Sequence, residues 1–417
     1  MNELSKIKFS EICELYDGPH ATPKPSEEGP IFLGIKSITV DGKIDKTSIR
    51  HISWSEYPKW TKRVTPQKGD VVFSYEATLH RYYIIPEGFV GCLGRRMALL
   101  RVKSPRISNI FLYYYLQSAK WKEYIEQKII HGSTVDRLSI KDFPDYHIEL
   151  PKRFVQNKIV SVLSAYDDLI ENNNYRISIL EEMVQKLYRE WFVHFCFPEH
   201  ENVQVIESEI GIIPVGWEVK RIDEVCNTYL GGTPSRAKAE YWKFGTIPWI
   251  NSGKVNEKRI VEASEYITEL GLLKSSTKKL PKRTTVIAIT GATLGQVSMT
   301  EIEVCANQSV VGIIDLNRKH QEYIYQCVLN NIEEIVKSAG GGAQQHINKE
   351  IVNEFKILLP PHTVLKQYKN IVKPLFDEVA VLMFKNIKLQ KQRDLLLSRL
   401  ISGDIDVSNL DIQIKEE

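Results

Sequence analysis

The side chains with most capacity for chemistry are cations gathered into two stretches. Between Lys43 and Arg106 stand thirteen lysines and arginines (Lys43, Lys46, Arg50, Lys59, Lys62, Arg63, Lys68, Arg81, Arg95, Arg96, Arg101, Lys103 and Arg106) against five acids. Residues 231–300 repeat the pattern with eleven basic and five acidic side chains. Such clusters suit the phosphate backbone of a nucleic acid, whose counterions they displace. A charge run is more often a plain solvated face, but its recurrence in both halves favours the nucleic-acid reading. Groups able to read base edges lie among the cations. Arg81, Arg95 and Arg96 sit with Tyr75, Tyr82 and Tyr83 in the first stretch. Thr233, Ser235, Arg236, Trp249, Asn251, Ser252 and Lys254 sit in the second, and Gln344 and Gln345 follow a glycine run. Arginine matches guanine and Asn or Gln matches adenine in the major groove, so double-stranded DNA is the expected ligand. The candidate contacts are Arg81, Arg95, Arg96, Thr233, Ser235, Arg236, Trp249, Ser252, Lys254, Gln344 and Gln345.

Catalytic signals fail one by one. Gly291-Ala292-Thr293-Leu294-Gly295-Gln296 lacks the lysine of a phosphate loop, and no Gly-x-Gly-x-x-Gly follows a strand. Leu359-Pro360-Pro361-His362 is not the Asn/Asp-Pro-Pro-aromatic turn of an amino-methyltransferase. Pro144-Asp145 with Glu149 and Lys152 is too tightly spaced for nuclease acids on adjacent strands, and the second half has Asn353-Glu354 instead. His131, His194 and His200 have no i,i+4 partner, and the six cysteines form no Cys-x-x-Cys pair, which argues for reduced thiols and against a metal site. Neither a catalytic residue nor a metal ligand is assigned.

The elements that must position the cations come in duplicate. Phe9-Ser10-Glu11-Ile12-Cys13 is echoed by Ile222-Asp223-Glu224-Val225-Cys226, and Asp70-Val71-Val72-Phe73-Ser74 by Thr285-Val286-Ile287-Ala288-Ile289. Leu138–Pro151 answers Ile347–Pro360, and the offset stays near 210–216. Each repeat opens with about 150 residues of short β-rich segments broken by Gly and Pro, with helices expected near 108–129 and 318–337. It then closes with a long helix. Leu163, Tyr166, Ile170, Asn173, Ile177, Leu180, Val184, Leu187 and Trp191 alternate at 3,4 spacing, as do Val372, Leu375, Val379, Leu382, Asn386, Leu389, Arg393, Leu396 and Leu400. Asn173 and Asn386 occupy equivalent places. An antiparallel helix pair about a pseudo-twofold axis brings them together, where a buried Asn–Asn contact fixes register. Some 30 helical residues span roughly 45 Å, enough to hold two DNA readers a turn of duplex apart.

With 417 residues, 43% hydrophobic and 26% charged, the chain suits several globular units. No apolar run is long enough for a membrane helix, and Met1–Lys6 lacks a secretory pattern, so the expected place is the cytoplasm.

The helical phrases resemble the specificity subunit of type I restriction-modification systems. Asp167-Asp168-Leu169-Ile170-Glu171-Asn172-Asn173-Asn174 and Leu180–Val193 are similar to that family's central helix, and Arg393–Ile405 to its distal one. Ile213-Pro214-Val215-Gly216-Trp217-Glu218-Val219 is similar to the start of its second recognition domain. The resemblance implies an α/β (α+β) fold with two target-recognition domains separated by two long antiparallel helices in a coiled coil. Residues 1–152 would form the first such domain, 153–197 the central helix, 198–361 a linker and the second domain, 362–403 the distal helix and 404–417 a tail. It implies a non-catalytic chain reading a bipartite DNA target. Its partners would be two copies of a methyltransferase subunit, and restriction subunits acting as translocases. S-adenosylmethionine, ATP and Mg would belong to those partners, leaving no cofactor on this chain. The alternatives are a specificity component of another phage-defence system, a self-sufficient restriction enzyme (which would need a fused catalytic domain) and a helical scaffold without DNA contacts.

Overall fold

The computed structural model describes residues 4–45, 47–132, 134–338 and 347–414. Its longer helices are, in chain order, α1 (Asn109–Gln117), α2 (Ala119–Glu126), α3 (Arg153–Phe192), α4 (Gln321–Lys337) and α5 (His362–Ser402). Two compact units divide the chain: residues up to Ile170 together with those from Lys388 onward, and Glu171–Ile387. Each takes part of both α3 and α5.

In the first unit the main sheet has four antiparallel strands in the order Cys13–Asp17, Met97–Val102, Val71–Ser74, Tyr82–Ile84. Val71–Ser74 is buried on both faces, which is why it reads as a continuous apolar run rather than an alternating one. A second sheet sets Arg50–His51, Ser26–Leu33 and Gly91–Leu93 side by side, the last pair parallel. Ser5–Lys8 pairs antiparallel with His147–Leu150 just before α3. The helical stretch expected near 108–129 is cut at Ser118. That side chain caps α2 by accepting from the Trp121 amide, as Ser108 caps α1 through the Phe111 amide.

The second unit repeats this plan strand for strand. Its main sheet runs Cys226–Leu230, Val310–Asp315, Thr285–Ala288, Val297–Thr300, with one addition, Arg259–Ile260, at the edge. A three-stranded sheet of Glu265–Ile267, Ile247–Ile250 and Cys305–Ala306 again carries one parallel pair. Glu218–Arg221 pairs with Lys356–Leu359 just before α5. Single hydrogen bonds recur too: the Lys8 amide donates to Glu11 and the Arg221 amide to Glu224, while Phe9 N donates to Tyr146 O and Ile222 N to Phe355 O. A hairpin, Val205–Ser208 with Gly211–Pro214, belongs to the second unit alone.

Within each unit α3 and α5 run antiparallel. In the first, Arg393 grips Asp167 at 2.5 Å, Tyr114 donates to the same carboxylate, and Lys158 caps the Ser408 and Leu410 carbonyls at 2.8 Å. In the second, Asn173 Nδ2 donates to Asn386 Oδ1 at 2.7 Å and Asn386 Nδ2 to Asn174 Oδ1 at 2.8 Å. Both Asn173 and Asn386 are buried. Arg176 meets Glu378 eight positions before Asn386, which fixes the direction of the pair. Leu163, Ile170, Val184 and Trp191 of α3 and Val372, Val379, Leu382 and Leu400 of α5 are buried along the two stripes. Off those stripes, Tyr368 and Phe376 are wholly buried against the second domain, Tyr368 beneath Trp191 and Phe192.

Candidate nucleic-acid interface

In each unit the loops at one end of the main sheet are drawn together by equivalent hydrogen bonds. Gly18 N donates to Met97 O in the first, and Gly231 N to Val310 O in the second. Leu138 N donates to Tyr75 O, and Ile347 N to Ile289 O. Both first-strand exits need glycine because the neighbouring loop passes so close: an added Cβ would lie 2.3 Å from Gly94 O at Gly18, and 2.1 Å from Asn307 O at Gly231. The first-unit cluster holds Tyr75–Arg81 and Gly94–Arg96; the second holds Gly231–Ser235, Thr290–Gln296 and Asn307–Ser309.

The first unit's candidates differ in availability. Arg96 sits in the left-handed region (φ 71°) with its Nε 2.8 Å from Glu76. Arg95 is exposed and Arg81 half-buried, and neither side chain has an ion-pair partner among the described residues. Elsewhere in the basic stretch, Arg101 is pinned to buried Asp70 at 2.7 Å and Arg63 to Asp17 at 2.5 Å, whereas exposed Lys43, Arg50, Lys59, Lys62 and Lys103 have no such acid among the described residues. Lys46 lies outside the described residues.

In the second unit the Arg236 guanidinium forms a two-pronged pair with Glu265 (2.6 and 2.8 Å) and lies 3.6 Å above the Trp242 ring. Glu265 raises the proton affinity of Arg236, and Arg236 holds the Glu265 carboxyl below its ordinary range. Trp249 is only 2% exposed, with Nε1 donating to Gly232 O and its ring edge-on to Trp242. It therefore supports the Arg236 stack from beneath and presents no surface of its own. Thr233 donates to Gln308, Ser235 is exposed while its carbonyl accepts from Trp242 Nε1, and Ser252 is half-buried on a short helical turn. Lys254 pairs with Glu257 at 2.7 Å. Gln344 and Gln345 lie outside the described residues.

Two members of the second basic stretch are structural. Arg259 is 1% exposed, its Nη1 3.1 Å from Glu301 and its guanidinium 4.1 Å from the Phe376 ring centre. Arg283 bridges Glu301 (3.0 Å) and Asp377 of α5 (2.8 Å), while Glu181 of α3 approaches Arg259 and Lys258. Burial pushes the Glu301 carboxyl up and the arginines pull it down, with burial the larger effect. This cluster fastens the second domain to its own helical segments. Phe244, 89% exposed, is an aromatic ring at the surface that sequence reasoning did not single out.

Among the described residues no group of three His, Cys, Asp or Glu is placed to hold a metal, and no helix is long and apolar enough to cross a membrane. Two copies of one α/β reader, each joined to segments of the same two helices, define the class of protein: a duplicated recognition scaffold. The family model for the type I restriction modification DNA specificity domain matches residues 4–182 and again 214–390. The chain belongs to this family and is a non-catalytic DNA-recognition subunit of a type I restriction-modification system. It is 28% identical over 305 residues to the MjaIX specificity subunit of Methanocaldococcus jannaschii, covering 72% of this chain and 70% of that one. It is 25% identical over 417 residues to the putative MjaX specificity subunit of the same organism, covering 96% and 93%. Its fold matches the S subunit from M. genitalium with a TM-score of 0.56 at 16% identity, over 96% of both chains.

Proposed function

We infer that the chain reads a split DNA target, one half-site per recognition domain, with the α3–α5 pair setting the spacer through Asn173 and Asn386. The observation that carries this reading is the strand-for-strand repeat whose loop ends bear different side chains. Arg81, Arg95 and Arg96 stand at one reader, and Thr233, Ser235 and the Arg236–Trp242 stack at the other. Equal scaffolds with unequal contact groups suit two unlike half-sites. The helices present exposed apolar groups, Leu169, Tyr175, Ile179 and Met183 on α3 and Ile371, Val381 and Leu395 on α5. These suit docking of a methyltransferase subunit in two copies, with restriction subunits joining that complex. S-adenosylmethionine, ATP and Mg are assigned to those partners, and the assembly to the cytoplasm. The test is a map of methylated motifs in DNA from cells holding the complex. Arg81→Ala with Arg95→Ala relaxes one half of the motif and leaves the other unchanged; loss of discrimination in both halves overturns the independent-reader model.

A further inference from the structure

The segment from Ser235 to Gly245 is a rigid pedestal. Ser235 O accepts from Lys238 N and from Trp242 Nε1, Ala239 O accepts from both the Trp242 and Lys243 amides, and Trp242 O closes the turn by accepting from Gly245 N at 3.1 Å. Gly245 is clamped as well, since a Cβ there would lie 2.6 Å from Tyr266 O. Helix Glu269–Leu273 braces the other side, with Thr268 N donating to Tyr241 O and Thr268 Oγ1 to Glu240 O. At the tip of this frame stands Phe244. Its backbone occupies the left-handed region (φ 60°), which a bulky aromatic residue rarely adopts, and its ring is 89% exposed. A fixed backbone that drives a large apolar ring into water, on a strained conformation, is held there for contact with something else. The neighbouring charges say what: Lys243 lies 5.2 Å from the ring centre, Lys238 is exposed on the same segment, and Arg236 is stacked on Trp242 at the pedestal's base.

We propose that Phe244 is a wedge that inserts partly at a base step of the target duplex, with Lys243 and Lys238 on the flanking phosphates. An apolar side chain prised between bases, bracketed by cations, is how proteins exploit the stacking surface of DNA and the unequal ease of unstacking its steps. Because the ring is presented on a preformed turn, little ordering accompanies its insertion. The wedge gives the second reader a way to sense DNA deformability, so it favours a pyrimidine–purine step, the most easily opened, within or beside its half-site.

This rests on the DNA-reading function above, and the test separates the two. The full chain, assembled with its methyltransferase partner, is titrated against a short duplex carrying the mapped motif and against a scrambled duplex, over a range of salt. The motif duplex carries 2-aminopurine at successive positions of the second half-site. Binding by the wild type brightens one position as the base unstacks. Phe244→Ala abolishes that brightening and weakens motif binding roughly tenfold with an unchanged salt slope, while Phe244→Trp retains both. Lys243→Ala instead lowers the salt slope by about one. Failure of the wild type to bind either duplex overturns the DNA-reading function itself. Wild-type affinity and brightening in Phe244→Ala overturn the wedge alone. A Phe244→Ala chain that no longer assembles with the methyltransferase, yet binds DNA normally, makes the ring a protein contact and likewise overturns the wedge.

Discussion

Replacing Asn173 and Asn386, singly and together, should produce changes of opposite sign. Asn173 is 3% and Asn386 7% exposed, and among the described residues the 2.7 Å bond between them is the one hydrogen bond of the Asn173 side chain. Asn386→Ala removes that bond, worth about 1 kcal/mol net, and strands a buried amide at about 1–3 kcal/mol, so it should cost roughly 2–4 kcal/mol. Asn386 has a second bond, to Asn174, but Asn174 is exposed and recovers water. Changing both residues to Leu strands nothing and buries two apolar side chains, each worth roughly 1.5–3 kcal/mol. Strain of the larger residues offsets part of that gain, leaving the double variant about 1–3 kcal/mol more stable than the wild type. In a unit of this size 1 kcal/mol moves a melting transition by roughly 2–4 °C. Calorimetry of the full chain should therefore show Asn386→Ala down by roughly 4–16 °C and the double leucine variant at or above wild type. A complex assembled on the stabilised variant should also methylate DNA at more than one spacer length through its methyltransferase partner, because on the proposed spacer role a seam without its polar pair no longer rejects shifted registers. If the alanine variant loses less than about 0.5 kcal/mol, or the leucine pair is destabilised, the asparagines are not a buried, mutually satisfied pair.

Two further outcomes follow from burial. Arg259→Met leaves Glu301 with its desolvation penalty and one fewer guanidinium, so the second unit should lose about 3–5 kcal/mol near neutral pH. Glu301 already binds its proton more readily than an exposed carboxylate. A group raised in the folded state contributes stability at low pH and loses it as pH rises, so the Arg259→Met deficit should shrink as the medium is acidified; a pH-independent deficit in a urea titration series would contradict this. Cys196 is the one exposed thiol, while burial pushes Cys13 and Cys92 up to about 12 and Cys305 and Cys327 to about 11, with Cys226 also raised. One equivalent of a thiol reagent should react with the native chain and six with the denatured chain, and Cys196→Ser should abolish the native reaction.

The duplicated fold was legible because strand patterns and their order survive in the sequence. The run at Val71–Ser74 and its echo at Thr285–Ala288 take the same place in their sheets, and the two 3,4 stripes are the buried faces of α3 and α5. The helical stretch near 108–129 was legible, but its break at Ser118 was not, since a capping serine also fits within a helix. Base-contact candidates were harder, because charge counting is blind to distant partners. Arg259 and Glu301 stand 42 positions apart and look like surface residues until tertiary contact buries them together. Trp249 and Phe244 lie five residues apart and look alike on paper, yet one is foundation and the other tip. The clue available was local: Phe244 directly precedes a glycine in a Tyr-Trp-Lys-Phe-Gly cluster, a turn signal with aromatics on its outside.

Each reader's first and last strands are partners of one another, Ser5 opposite Leu150 and Glu218 opposite Leu359. The chain thus begins and finishes each domain at neighbouring points, about 5 Å apart across the pair. Genetically, a reader is a cassette between two fixed joints. Two crossovers in the flanking coding sequence would exchange all its loops while leaving the helices and their asparagines untouched. Because both cassettes share the order of their four main strands, DNA encoding one should be able to replace the other. On the split-target reading proposed above, such an exchange should change one half of the methylated motif while keeping the strand pairing that closes each domain.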